Sequence, residues 1–306
     1  MQQGHSGFRI EGDFSVNEKK EKALCILRET GKKEFSVNQE EYDKFSKHIG
    51  RYPCVVVAPD DAQLVTGGSE ERRKFLDLLL SQLDAAYLQN LIAYNKILQQ
   101  RNSLLRSFAD TGDSNFSLLD ILDEQLGKYG DPVFHRRKEF LTGFLPLVKQ
   151  LYSEIAQQPE ELNLVYESEL SQASFAELLQ LTRQSDCFVQ RTSAGIHRDD
   201  LDIKLSNHVF RYIASQGQRK SLLFALKLAE MDALKRPGLP GESENGFAPL
   251  LLLDDVFEKL DEDRISNLLY KVCAENRGQV FITDTSEARL KEHLEKINIR
   301  FGMIRL

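Results

Sequence analysis

No apolar run in this 306-residue chain approaches the ~20 residues needed to cross a bilayer. Met1 to Gly7 is polar and glycine-containing, without the pattern of a signal peptide. A cytoplasmic protein with no membrane partner is the expectation. Cysteine is scarce: Cys25, Cys54, Cys187 and Cys273 lie far apart and form no CxxC pair. That spacing excludes a disulfide or zinc framework and fits small buried hydrophobes in a reducing compartment. There is no internal repeat and no low-complexity tract. The net charge of −7 does not point to a nucleic-acid binder, but a local basic face can still bind phosphates on an acidic protein. With 41% hydrophobic and 28% charged residues the composition is that of a globular chain, and its length calls for one large or two medium domains.

Read from the front, Phe8–Phe14 largely alternates apolar and polar residues like a half-buried strand. Ala23–Arg28 and Glu34–Asn38 read as two more strands joined by a turn at Gly31-Lys32-Lys33. A short helix is expected over Glu40–His48, and then the apolar strand Cys54–Val57, which ends in the acid pair Asp60-Asp61. Arg72–Ser107 contains neither glycine nor proline and reads as long helix broken near Asp84. Leu91, Leu98 and Leu105 form a seven-residue stripe beside Leu88, Asn95 and Asn102, a pattern of core packing or of a helix pair. Two further helices are expected over Phe116–Tyr129 and Asp131–Gln157, a strand over Leu162–Glu167 and a helix over Ser174–Val189. Leu201–Leu205 and Val209–Ile213 read as a hairpin. The chain then continues with a helix to about Lys235, a loop rich in Pro, Gly and Ser, a strand over Leu250–Leu253, helix Asp261–Glu275, strand Gln279–Thr283, helix Ser286–Ile297 and a last strand Ile299–Leu306.

Two stretches carry chemistry. In Pro249–Asp261 four consecutive leucines lack two-fold alternation, so both faces of the strand are expected to be buried, as in a central parallel strand. Asp254 and Asp255 follow where that strand ends, which in an open α/β sheet is where ligands bind. This is the build of a Walker B element, in which one acid holds Mg²⁺ and the next orients an attacking water. A core strand with a solvated acidic turn is the plainer alternative. The second stretch is Ser215-Gln216-Gly217-Gln218-Arg219-Lys220. Here a preferred N-cap and a glycine that permits close approach open a helix whose Leu222, Leu223, Leu226 and Ala229 share a face. Such a start can receive an anion, and it can equally be an ordinary capped helix.

The blocks Pro59–Gly67 with Arg72–Asp77, Gln100-Arg101-Asn102, Gly195–Asp200, and Ser215–Glu230 with Leu251–Asp261 occur in this order across most of the chain. Together they resemble the RecF family of DNA replication and repair proteins, relatives of the ATPase heads of structural-maintenance-of-chromosomes proteins. The resemblance implies an α/β fold: an ABC/SMC-type P-loop ATPase head with a mostly helical inserted lobe. It implies Asp254 as the Mg²⁺-holding aspartate, Asp255 as the acid polarising the attacking water, and Asp261 as the D-loop residue. Ser215, Gln216, Gly217 and Gln218 match the signature that reaches a nucleotide bound by the opposite subunit. ATP and Mg²⁺ as cofactors follow, with DNA, an ATP-dependent homodimer and other recombination-mediator proteins as partners. Thr283-Asp284 stands where many ABC proteins have a switch histidine.

One departure is large. Family members carry a Gly-x-x-x-x-Gly-Lys-Ser/Thr loop, and no such loop is present in this sequence. Gly31-Lys32 is followed by Lys33, and Gly127-Lys128 by Tyr129, so neither can cradle a phosphate. The expectation is an N-terminally truncated or alternatively started member, with residues 1–68 as the remainder of the first ATPase lobe, 69–192 as the helical lobe and 193–306 as the C-terminal ATPase part. A non-hydrolysing DNA-binding or protein-interaction module is the alternative function. Arg72 and Arg73, and Arg136 and Arg137, are candidates for DNA phosphates and equally for solvated helix faces. His197 has no metal-ligand companions in the sequence and reads as part of a structural block.

Overall fold

The computed structural model describes residues 6–16, 19–111, 116–156, 160–235, 249–255, 262–274 and 278–305. The first sheet is antiparallel and made of consecutive strands: β1 (Phe8–Val16), β2 (Lys19–Leu27), β3 (Lys33–Val37) and β4 (Glu40–Glu41). Gly31, at φ 79°, turns β2 into β3. The helix expected over Glu40–His48 is not formed. Asn38 and Gln39 take positive φ and fold Glu40–Glu41 back onto Ser36–Val37, leaving a single 3-10 turn at Phe45–Lys47.

β5 (Cys54–Val57) leads through a 3-10 turn at Pro59–Ala62 into α1 (Gln63–Thr66) and α2 (Ser69–Leu83). The long helical run breaks at Asp84, whose side chain accepts from the backbone N–H groups of Ala86 and Tyr87 and so starts α3 (Ala85–Thr111). The next two expected helices are one, α4 (Phe116–Ala156), with Pro132 and Pro146 inside it. Proline removes a helical hydrogen bond, but here packing overrides propensity. Val133 and Phe134 are buried, and Gly130 leaves room for the Phe175 ring, because a Cβ there would lie 2.4 Å from Phe175 Cζ.

β6 (Leu162–Glu167) precedes α5 (Phe175–Val189), which opens with the reciprocal Ser174–Glu177 capping box. β6 pairs with β7 (Asp200–Leu205), which pairs with β8 (His208–Val209) across a turn of left-handed Ser206 and Asn207. The expected second arm of that hairpin ends early, since Phe210–Ile213 coils into α6. α7 (Gln216–Leu234) follows, then β9 (Leu250–Asp254), α8 (Glu262–Leu269) with a wider turn at Tyr270–Ala274, β10 (Val280–Thr283) and α9 (Glu287–Lys296). Residues 299–305 form no strand, and Arg305 is tied to Glu287.

β5, β9 and β10 form a parallel sheet in the order β10-β9-β5, so β9 is central. Leu251 and Leu253 are buried, and Leu222, Phe224, Ala225 and Ala229 of α7 join the same core. The expectation of two buried faces holds for one face only. On the other, the in-register row Val56–Leu252–Phe281 stays open, with Val56 43% and Phe281 47% exposed. One apolar core runs from Val55 through Leu79, Leu126, Leu205 and Leu251 to Leu294, crossing residues 69 and 192. No helix among the described residues is long and apolar enough to cross a membrane. The four cysteines are free and half-buried.

Candidate functional site

Parallel pairing brings the carboxyl ends of β5, β9 and β10 to one edge of the sheet. Three polar dipeptides gather there: Asp60-Asp61 in the turn after β5, Asp254-Asp255 at the end of β9 and Thr283-Asp284 at the end of β10. Asp254 is exposed, and Asp255 is half-buried in the left-handed region at φ 46°. Thr283 Oγ1 donates to Asp254 Oδ1 at 2.5 Å, and the Asp255 N–H reaches Thr283 Oγ1 and its carbonyl at 3.2 Å each. Asp284 is turned inward. Both of its oxygens accept from Arg289 Nη2 at 2.8 Å, and it also accepts from Ser286 N.

The Ser215 side chain accepts from Gln218 N at 3.2 Å while Gln218 Oε1 accepts from Ser215 N at 2.8 Å, so α7 begins with a closed capping box. The room at Gly217 is taken up by Arg264 of α8. A Cβ at Gly217 would lie 2.7 Å from Arg264 Nη1, which donates to the buried Ser221 hydroxyl at 3.0 Å. Between the end of β5 and the start of α7 lies a cleft of about 380 Å³, lined by Pro59, Gln216, Arg219, Lys220 and Asp255 among others. Asp255 and the helix start thus share one concavity within a single chain. Asp261 lies outside the described residues.

A polar cluster behind this edge was not legible in the sequence. Lys227 of α7 lies 3.6 Å from Asp61 and 3.5 Å from Glu230, with its ammonium over the Phe75 ring. Burial pushes the Glu230 carboxyl up to about 7, against the opposing pull of Lys227.

The arginines expected at DNA divide. Arg72 makes a two-pronged pair with Asp200, at 2.7 and 2.9 Å, and donates to the Gly67 carbonyl. Arg137, 1% exposed, is enclosed by Asp77, Asp199, Tyr87 and the Ile196 carbonyl. The expectation that these two contact DNA is corrected: their guanidiniums are buried and already paired, leaving no donor face for a phosphate. Arg73 is half-buried and donates to the Asp199 carbonyl, and burial followed by the nearby Arg137 charge lowers its pKa. Arg136, 32% exposed, pairs with Asp84 and Glu139 at 3.3 Å. The Gly195–Asp200 block is therefore the counter-ion of α2 and α4.

His197 completes that block. The Thr192 carbonyl can only accept, so Nε2 carries the hydrogen and Nδ1 accepts from Tyr94 Oη at 2.8 Å. Burial lowers its pKa to about 4, which leaves the ring neutral and fully engaged. Arg101 is likewise buried between Asp123 and Asp186, and Asn102 accepts from Thr192. Among the described residues no group of three or more His, Cys, Asp or Glu side chains could hold a metal ion.

Comparison with known proteins places this geometry. The chain is 40% identical over 297 residues to the DNA replication and repair protein RecF of Parabacteroides distasonis, covering 97% of this chain and 78% of that protein. The chain belongs to the RecF family. The Flavobacterium johnsoniae RecF is 41% identical over 289 residues, covering 94% of this chain and 79% of the relative. A solved structure of the recombination mediator protein RecF with ATP, from the RecFOR pathway, superposes with a TM-score of 0.80 at 28% identity, covering 94% of this chain and 76% of that one. The Smc head domain of Pyrococcus furiosus matches with a TM-score of 0.51 at 12% identity over 96% of this chain and 73% of that one, a likeness of fold alone. No protein-family model matches the chain. The fold is thus the α/β head of RecF and SMC-type ATPases.

Proposed function

We propose that this chain supplies part of an ATP-dependent DNA-binding ATPase head of the RecF type, acting in DNA replication and recombinational repair. The observation that carries the reading is the acid pair at the end of the central parallel strand, facing a cleft shared with the capped start of α7. Residues 69–192 are proposed as a helical lobe, between residues 1–68 of the first ATPase lobe and the C-terminal ATPase part at 193–306.

Within this reading Asp254 would hold Mg²⁺. An exposed carboxylate suits a small hard cation that takes one or two protein oxygens and completes its shell with water and phosphate. The ion, when bound, neutralises charge on the phosphate oxygens. Asp255 orients the attacking water, and its half-buried position beside the cleft restricts where that water sits. With Ser215 and Gln218 closing the cap, the first-turn N–H groups of Gln216 and Gly217 would face phosphates held by a second copy, an arrangement in which ATP would link two protomers and slow hydrolysis would release DNA. Arg73 and Arg136 remain the arginines open to DNA phosphates.

A second reading has its own support. With no Gly-x-x-x-x-Gly-Lys-Ser/Thr loop in the sequence, the chain would act as a non-hydrolysing DNA-binding or protein-interaction module. Equilibrium ATP binding and steady-state hydrolysis, measured on the whole chain with and without gapped DNA, separate the two. Turnover removed by Asp255→Asn supports the first reading. Absence of binding at millimolar ATP, with DNA binding retained, supports the second.

A further inference from the structure

We infer that Thr283 is the positioning residue for the acid pair, setting Asp254 for a cation and Asp255 for the water through one hydroxyl. The inference rests on the reading of Asp254 and Asp255 given above. Thr283 and Asp254 are in register on neighbouring parallel strands, so their side chains emerge together at the sheet edge. A threonine hydroxyl has one donor and two acceptor positions, and both kinds are used. Its hydrogen goes to Asp254 Oδ1 at 2.5 Å, and its lone pair accepts the Asp255 N–H at 3.2 Å.

These contacts bear on two features that the chemistry needs. Asp255 occupies the left-handed region, which costs a non-glycine residue roughly 1 kcal/mol and persists only where neighbours hold it. Its N–H is held by Thr283 through both the hydroxyl and the carbonyl. For Asp254, the hydroxyl fixes one oxygen by a charge-assisted bond, and the carboxylate keeps acceptor capacity for a hard cation. The neighbouring acid does not share this task, because Asp284 is locked to Arg289 and to the start of α9. Thr283 alone of that dipeptide reaches the acid pair.

The test uses the whole chain, with Mn²⁺ as the probe and electron paramagnetic resonance reading the free ion. The quantity compared is the binding lost in Asp254→Asn, which isolates the Asp254 site from other carboxylates. Thr283→Val keeps the shape and removes the hydroxyl; it is expected to weaken that binding about tenfold, the loss of one charge-assisted hydrogen bond. Thr283→Ser restores it to within about twofold. In parallel, hydrogen exchange of the Asp255 amide is expected to quicken about tenfold in Thr283→Val and to stay slow in Thr283→Ser, with melting temperatures confirming that all variants fold. If Thr283→Val binds Mn²⁺ like the wild type while Asp254→Asn does not, the inference is overturned and the metal reading stands. If Asp254→Asn changes nothing, the metal reading falls and the inference falls with it. Unchanged exchange at Asp255 also overturns the inference.

Discussion

Replacing Arg137 with methionine removes a buried charge while roughly keeping its volume, and the structure sets the size of the effect. The guanidinium makes hydrogen bonds to Tyr87, the Ile196 carbonyl, Asp199 and Asp77 at 2.7–3.0 Å. Asp199 is 2% exposed, and burial holds its pKa above the ordinary aspartate range even with Arg137 beside it. Without the arginine that carboxylate keeps only polar partners such as Tyr166, at 2.6 Å. Removing one partner of a buried ion pair costs about 3–5 kcal/mol, a large share of the 5–15 kcal/mol typical of a folded protein. The sign with pH follows from linkage. A carboxyl whose folded pKa lies above its unfolded value destabilises the fold at high pH, and the penalty is relieved as pH falls through the folded value. Urea unfolding followed by circular dichroism is therefore expected to show Arg137→Met with a deficit of about 3–5 kcal/mol at pH 8 that narrows on acidification. Arg137→Met combined with Asp199→Asn should recover much of the loss. A deficit below about 1 kcal/mol at pH 8, or one that does not narrow on acidification, would refute this account of Arg137.

Three further outcomes are expected. Glu230, with its carboxyl raised to about 7, makes the wild type less stable as pH rises from about 4.5 through 7; Glu230→Gln should abolish that slope and be more stable at pH 8 by on the order of 3 kcal/mol, read from melting curves across pH. Ser215→Ala opens the capping box of α7 and should cost about 1 kcal/mol in urea unfolding, with Ser215→Asp close to the wild type. Gly130→Ala places a methyl 2.4 Å from Phe175 Cζ and 3.0 Å from Tyr94 Cε2, and should cost about 1–3 kcal/mol by overpacking; wild-type stability in that variant would mean the ring has room to move.

What was legible in the sequence was local or periodic. The apolar run before Asp254 marked the central strand, and Ser215 as a preferred N-cap marked the start of α7, because a cap depends on residues close in the chain. What was not legible depends on distant partners. Nothing near Arg72 or Arg137 announces that Asp199 and Asp200 will enclose them, so basic doublets that resemble a phosphate-binding face turn inward in part. Gly130-Asp131-Pro132 reads as a break, yet packing against Phe175 carries α4 through it. Thr283 was singled out only for not being histidine. Its part at the acid pair depends on the register between β9 and β10, which no spacing in the chain reveals.

The long-range ion pairs also impose an order of events during synthesis. Arg72 leaves the ribosome 128 residues before Asp200, Arg101 85 residues before Asp186, and Arg137 62 residues before Asp199. At about 5–20 residues per second the first of these waits on the order of 6–26 s for its acid. Through that interval α2, α3 and α4 can form as helices, but Arg72 lacks Asp200, and Arg101 and Arg137 have only one acid each, Asp123 and Asp77, of the two that enclose them, so the final packing of the three must follow the emergence of Asp186 and the Gly195–Asp200 block. A nascent chain stalled before Asp186 would leave each of the three guanidiniums short of an acid, which makes Asp186 and the late Gly195–Asp200 block the latch for helices made long before them.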